Sequence, residues 1–96
     1  MLTIRETSEF IDWMERLRDE RARGRIARRI DRLGQGNPGD VKPVGEGVSE
    51  LRIDYGPGYR LYFVQRGDVI VIMLCGGDKK SQKNDILRAK KMAKET

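Results

Sequence analysis

Apolar and polar residues alternate from Glu50 to Phe63, on both sides of a Gly-Pro-Gly segment at positions 56–58. Alternation of period two is typical of half-buried strands and the glycines are typical of a turn, so the pattern predicts a β-hairpin. A three-residue loop would give the opposed pairs Tyr55–Tyr59, Asp54–Arg60, Ile53–Leu61, Arg52–Tyr62 and Leu51–Phe63. One face, with both of these turn-flanking tyrosines, would be apolar, and the other would present Arg52, Asp54, Arg60 and Tyr62 to water.

Helical periodicity marks three other segments. Apolar residues recur every three or four positions at Phe10, Trp13, Met14 and Leu17, then at Ala22, Ile26, Ile30 and Leu33, and finally at Ile86, Ala89 and Ala93. A hydroxyl in the segment 6–8, the carboxylate of Asp19 and the hydroxyl of Ser81 are expected to cap these helices, and Gly34 to end the second. Trp13 lies in the middle of its stripe, so we expect a core residue rather than a binding platform.

The remaining elements are short strands. Leu2 and Ile4 alternate with polar neighbours, and further strands are predicted at 48–54, 59–66 and 69–75, of which the last is apolar on both faces and therefore central. Residues 34–49 hold five glycines and two prolines and are expected to form a connection. The order β-α-α-β-β-β-α predicts an α+β fold: a four-stranded antiparallel sheet, an N-terminal helical hairpin and a C-terminal helix, in a single domain over residues 1–96.

Composition limits the chemistry. Twenty lysines and arginines against fifteen acidic residues give a net charge of +5, which favours an anionic partner. There is no histidine and only Cys75, so the usual neutral-pH general base, a zinc-finger site and an internal disulfide are excluded. Cys75 ends an apolar strand and is interpreted as a core residue. No signal peptide or membrane-spanning run is recognised, which predicts a cytoplasmic protein.

Basic residues concentrate in two segments. Eight arginines lie between Arg16 and Arg32, where a solvated helix face is the more common explanation and a nucleic-acid or ribosome contact is the alternative. From Gly76 onward seven basic residues accompany three acidic ones. The basic residues of the last helix likewise favour an anionic partner.

Three motifs together resemble a known family. The Glu50-Leu51-Arg52 strand, the Gly58–Phe63 strand and the loop Gly76–Gln82 before a basic helix are similar to the RelE/ParE toxin superfamily. Together with the Gly36–Asp40 loop after the second helix, they resemble most its HigB-like "addiction module killer protein" branch. The resemblance covers nearly the whole chain.

The resemblance implies the toxin of a type II toxin–antitoxin system, held inactive by an antitoxin, here expected to be a small helix-turn-helix protein encoded nearby. RelE-like members cut mRNA on the ribosome without metal or other cofactor, by attack of a ribose 2′-hydroxyl on the adjacent phosphate. ParE-like members share the fold but inhibit DNA gyrase. A ribosome-dependent mRNA endonuclease is therefore the first hypothesis, and a gyrase inhibitor or a non-catalytic RNA-binding module remains open.

The family pattern also implies site residues. Arg60 and Lys79 correspond to its catalytic arginine and loop cation, and Arg52 would join them, because an arginine fork grips two phosphate oxygens. RNA contacts are assigned to Tyr62, which would stack a base, and to Lys80, Gln82 and Asp54. RelE has lysines where this strand has Val48, Glu50 and Arg52, so the base that activates the 2′-hydroxyl is not carried over. Without the family, Arg60 opposite Asp54 would be read as an ordinary cross-strand ion pair.

Overall fold

A computed structural model describes all residues from Met1 to Thr96. Eight elements follow one another along the chain. They are β1 (Thr3–Glu6), α1 (Ser8–Arg16), α2 (Glu20–Gly34), β2 (Val41–Gly45), β3 (Val48–Ile53), β4 (Tyr59–Arg66), β5 (Ile70–Gly77) and α3 (Gln82–Glu95). None of the helices is both long and apolar enough to cross a membrane.

The sheet has five strands in the order β1-β5-β4-β3-β2 and is mixed, which corrects the predicted four-stranded antiparallel sheet. β1 pairs with β5 in parallel, and the other neighbours are antiparallel. The added strand, β2, lies within the segment that its glycines and prolines marked as a connection. Pro43 is tolerated there because β2 is an edge strand, in which a missing N–H leaves no neighbour unpaired.

The hairpin of β3 and β4 forms with a register two residues away from the prediction. Arg52 lies opposite Arg60, Ile53 opposite Tyr59 and Glu50 opposite Tyr62. The loop is thus longer than Gly-Pro-Gly alone, with positive φ angles at Gly56 and Gly58. Because the shift is even, every side chain stays on its expected face. Asp54, however, lies in the loop and not opposite Arg60.

Helices α1 and α2 cover one face of the sheet, as their apolar stripes predicted. Phe10, Ala22, Ile26, Ile30 and Leu33 are buried against Leu51, Leu61, Val71 and Met73. The expected caps are also present: the Thr7 hydroxyl accepts a hydrogen bond from the amide of Phe10 (3.1 Å), and Asp19 accepts from Arg21 and Ala22. Trp13 packs closely against Gly76, where a Cβ atom would lie 2.5 Å from its ring.

Helix α3 covers most of the opposite face, which the alternation had assigned to water. Val48, Tyr62, Val64 and Leu74 are buried beneath Ala89, Met92 and Ala93. Ser81 precedes α3 but makes no side-chain capping bond to its amides, contrary to the prediction. The end of this face near the β3–β4 turn stays accessible, and it carries the half-buried Arg52 and Arg60 and the exposed Asp54.

Candidate functional site

The accessible end of the α3-covered face forms a cavity of about 300 Å³ without an apolar lining residue, here called the cationic cleft. It is lined by Asp40, Arg52, Asp54, Gly58, Arg60 and Lys79. These residues come from the end of β3, the start of β4, the turn between them, the loop after β5 and the residue that precedes β2. The cleft therefore brings together Arg52, Arg60 and Lys79, the three residues that the sequence singled out as catalytic candidates.

The register of the hairpin places two guanidinium groups side by side. Arg52 and Arg60 are directly opposed on β3 and β4, and like charges in that position destabilise a sheet. Asp40 offsets part of this repulsion: its Oδ1 accepts hydrogen bonds from Arg52 Nη2 at 2.7 Å and from Arg52 Nε at 3.1 Å. These bonds hold the pKa of Asp40 below its usual range, so the carboxylate is charged at neutral pH.

Arg60 and Lys79 are the cations of the cleft without an acidic partner, since neither forms an ion pair. Arg60 is half-buried and its Nε, which is fully buried, has no hydrogen-bond partner. A half-buried, unpaired guanidinium such as that of Arg60 is available to an anion and needs little reorganisation to bind one.

The position of Lys79 depends on Gly58. The lysine side chain crosses this glycine so closely that a Cβ atom there would lie 2.9 Å from Lys79 Cγ and Cε. Gly58 also has a φ of +81°, which L side chains rarely adopt. The loop that carries Lys79 is shaped by Asp78, whose Oδ1 accepts hydrogen bonds from the amides of Lys80 (2.9 Å) and Ser81 (3.2 Å).

Tyr62 cannot stack an RNA base, because it lies beneath α3 with none of its surface exposed. Its hydroxyl donates a hydrogen bond to Glu50 Oε2 (3.0 Å), and Gln82 Nε2 donates to the same oxygen (2.8 Å). Burial raises the pKa of Tyr62 far above its ordinary value. The stacking expectation assumed a face open to water, which α3 closes. Gln82, half-buried, connects the start of α3 to β3 through this bond.

The other candidates lie around the cleft. Lys80 is exposed but does not line the cavity, whereas Asp54 does and forms no ion pair. Cys75 is buried, and burial raises the pKa of its thiol to about 12, so a thiolate nucleophile is disfavoured at neutral pH.

Two contributors had not been singled out from the sequence. Asp40 and Gly58 belong to the cleft through tertiary contacts, and the signal for them in the sequence was their place in two motifs of the family resemblance, the Gly36–Asp40 loop and the Gly58–Phe63 strand.

The fold and the site define a class: small basic α+β proteins with two helices on one face of a mixed sheet, a third helix on the other, and a cleft lined by arginine and lysine. The family model described as "Phage derived protein Gp49-like (DUF891)" matches residues 12–95. The chain belongs to this Gp49-like family of RelE-like toxins, which are associated with toxin–antitoxin systems. A protein of Haemophilus influenzae (strain Rd), described as uncharacterized, is 48% identical over 94 residues, or 98% of this chain and 95% of the relative.

Proposed function

We propose that this chain is the toxin of a type II toxin–antitoxin pair, of the HigB-like branch, and that it cleaves mRNA on the ribosome. The observation that supports this proposal is the convergence of Arg60, Lys79 and Arg52 in one cleft that no residue of α3 lines. Its partner would be an antitoxin, proposed to be a small helix-turn-helix protein encoded nearby.

The chemistry is a transesterification within the RNA. The ribose 2′-oxygen attacks the adjacent phosphorus, the O2′–P bond forms and the P–O5′ bond breaks, which leaves a 2′,3′-cyclic phosphate and a 5′-hydroxyl end. The 2′-hydroxyl proton passes to a base that we do not assign, and the leaving 5′-oxygen gains a proton. Negative charge builds up on the phosphate oxygens in the transition state, and Arg60 and Lys79 would stabilise it.

Each residue of the cleft has a distinct proposed part. The fork of Arg60 holds the scissile phosphate in two-point contact, and Lys79 adds a point charge from the loop after β5. Arg52 shares its guanidinium between Asp40 and the RNA. Asp54, an acceptor only, would receive a hydrogen bond from a ribose hydroxyl or a base edge, and Lys80 would contact the backbone outside the cavity.

The test is Arg60→Ala expressed from an inducible promoter, with Arg5→Ala as the matched control, because Arg5 is exposed on β1, away from the cleft. We expect Arg60→Ala to restore growth, to remove new messenger ends within reading frames and to slow cleavage by purified protein on ribosomes about 100-fold or more. Arg5→Ala should behave as wild type. Undiminished toxicity of a folded Arg60→Ala protein would refute the proposed site.

Gyrase inhibition is a second candidate, because β3 supplies the cleft with none of the lysines that RelE nucleases carry on this strand. Val48 and Glu50 of that strand are fully buried under α3, and only Arg52 reaches the cavity. This alternative predicts DNA breaks and a damage response on induction while messages stay intact. Mapping messenger ends and chromosome breaks in the same induced culture separates the two functions.

A further inference from the structure

Helix α2 carries a row of arginines beside its apolar stripe. Arg21, Arg25, Arg28 and Arg32 follow one another at intervals of four, three and four residues, which places them on one face of the helix. All four are exposed, and none of them forms an ion pair. The row, here called the arginine stripe, extends about 16 Å along the helix, given a rise of 1.5 Å per residue.

The stripe lines two adjoining cavities. One, of about 240 Å³, is bounded by Arg25, Arg28, Arg29, Arg32, Ile53 and Asp54, and is called the arginine groove. The other is bounded by Glu20, Arg21, Gly24, Arg25 and Arg28. Four guanidinium groups thus surround the arginine groove with a single carboxylate among them. Such an excess of fixed positive charge attracts an anion.

The arginine groove and the cationic cleft share a wall. Asp54 lines both cavities. Arg29 joins them as well: its Nη1 donates a hydrogen bond to the carbonyl of Arg52 at 2.7 Å, and its Nη2 donates to the carbonyl of Pro38 at 3.1 Å. Arg29 therefore fixes the backbone at Arg52, a residue of the cationic cleft. The exposed arginines beside it remain free to bind a ligand.

Arg25 is also held in place within the groove. Its guanidinium carbon lies 4.5 Å from the centre of the Tyr55 ring, and the Tyr55 hydroxyl donates a hydrogen bond to Asp19 Oδ2 at 3.1 Å. A cation above an aromatic face keeps its outward N–H groups free. The groove is therefore partly ordered before a ligand arrives.

We propose that the arginine stripe binds the phosphate backbone of the RNA strand whose scissile phosphate lies in the cationic cleft. This inference rests on the proposed function in taking RNA as the polyanion. A nucleic acid backbone is favoured over a protein, because Ile53 is the only apolar residue of the arginine groove, whereas the centre of a protein interface needs aromatic or aliphatic anchors. Backbone contacts from the stripe position the strand and carry no sequence preference.

The experiment measures the salt dependence of RNA binding. The probe is a fluorescein-labelled single strand of about 12 nucleotides, with 2′-O-methyl riboses so that it cannot be cleaved. The stripe variant is Arg28→Gln with Arg32→Gln. The control, Arg5→Gln with Arg18→Gln, loses the same charge at two exposed arginines that line none of these cavities. Circular dichroism verifies that both proteins are folded.

We expect the slope of log affinity against log salt to fall by about 1.4 in the stripe variant, or roughly 0.7 for each lost phosphate contact, and to stay near wild type in the control. Equal slopes in the two variants, or no salt-dependent binding by the wild type, would overturn the inference. It would also be overturned if the stripe variant lost binding to a glutamate-rich peptide but kept its RNA slope, since the stripe would then serve an acidic protein.

Failure of this inference is distinguishable from failure of the proposed function, because the probe reports binding without cleavage. A lowered slope together with undiminished toxicity of Arg60→Ala would retain the stripe as a contact to an RNA backbone and refute the proposed nuclease site. An unchanged slope in the stripe variant, together with loss of cleavage in Arg60→Ala, would refute the role of the stripe and retain the proposed nuclease site.

Discussion

At the scale of single residues, Gly58 has no part in the proposed chemistry but determines the position of Lys79, which has one. It meets two requirements at once: a positive φ in the turn and room for the Lys79 side chain to cross. Gly67, in the turn between β4 and β5, meets only the first, with a φ of +64° and nothing within 4 Å of a built Cβ atom. The two glycines therefore form a matched pair.

Gly58→Ala should reduce both stability and toxicity, whereas Gly67→Ala should reduce stability alone. Each substitution forces an L residue into the left-handed region, at a cost of about 1–2 kcal/mol in the free energy of unfolding. The Lys79 chain is flexible and can move aside, so the added Cβ at position 58 displaces the cation more than it destabilises the fold. Urea denaturation and growth after induction measure the two effects. Full toxicity of Gly58→Ala would show that the position of Lys79 is unimportant.

At the scale of elements, the sequence predicted what local patterns determine. Residues a few positions apart determine the apolar stripes of α1 and α2, the caps at Thr7 and Asp19 and the bounds of β4. β2 and β3 are neighbours along the chain and pair as a hairpin, but the glycines and Pro43 of that segment hid the strand signal of β2. Asp40 was missed for the same reason, since it meets Arg52 only when β2 aligns beside β3.

The Asp40–Arg52 pair makes stability depend on pH in a defined direction. Because the bond from Arg52 lowers the pKa of Asp40 in the folded protein, its contribution is complete above the unfolded pKa of about 3.9 and is lost as the pH falls through the lower, folded value. We expect wild type and Asp40→Asn to differ in unfolding free energy by a constant amount between about pH 5 and 8. The difference should shrink below about pH 4. Urea titrations over this range measure it, and a difference that grew in acid would contradict the assignment.

At the scale of the whole molecule, the prediction of the α3 side of the sheet was the least successful. Alternation in β3 and β4 correctly separated the two faces, but it could not show that a helix covers the more polar one. Tyr62 read as a water-facing residue in isolation, yet it is buried beneath α3, where its hydroxyl donates a hydrogen bond to Glu50 Oε2. Arg52 and Arg60 stay accessible because α3 does not reach the end of the sheet near the β3–β4 turn. Only the tertiary structure shows how far along the sheet α3 extends.

Two leucines test whether α3 packs on this face of the sheet. Leu74 is fully buried between the sheet and α3, whereas Leu87 of α3 is 67% exposed. Leu74→Ala should lower the free energy of unfolding by about 2–5 kcal/mol, because it leaves a cavity in packed surroundings. Leu87→Ala should change it by less than about 0.5 kcal/mol. Chemical denaturation of both variants measures the contrast, and similar losses would mean that α3 does not pack on this face.

The carboxylate of Asp40 has a consequence for how an anion enters the cleft. It acts as a ligand tethered to the protein, and the pairing of β2 with β3 holds it at Arg52, whose backbone N–H donates a hydrogen bond to the Asp40 carbonyl at 2.9 Å. An incoming phosphate must compete with it at Arg52 but not at Arg60. A substitution that loosens the start of β2 would therefore weaken this competition without altering any side chain that touches the incoming group.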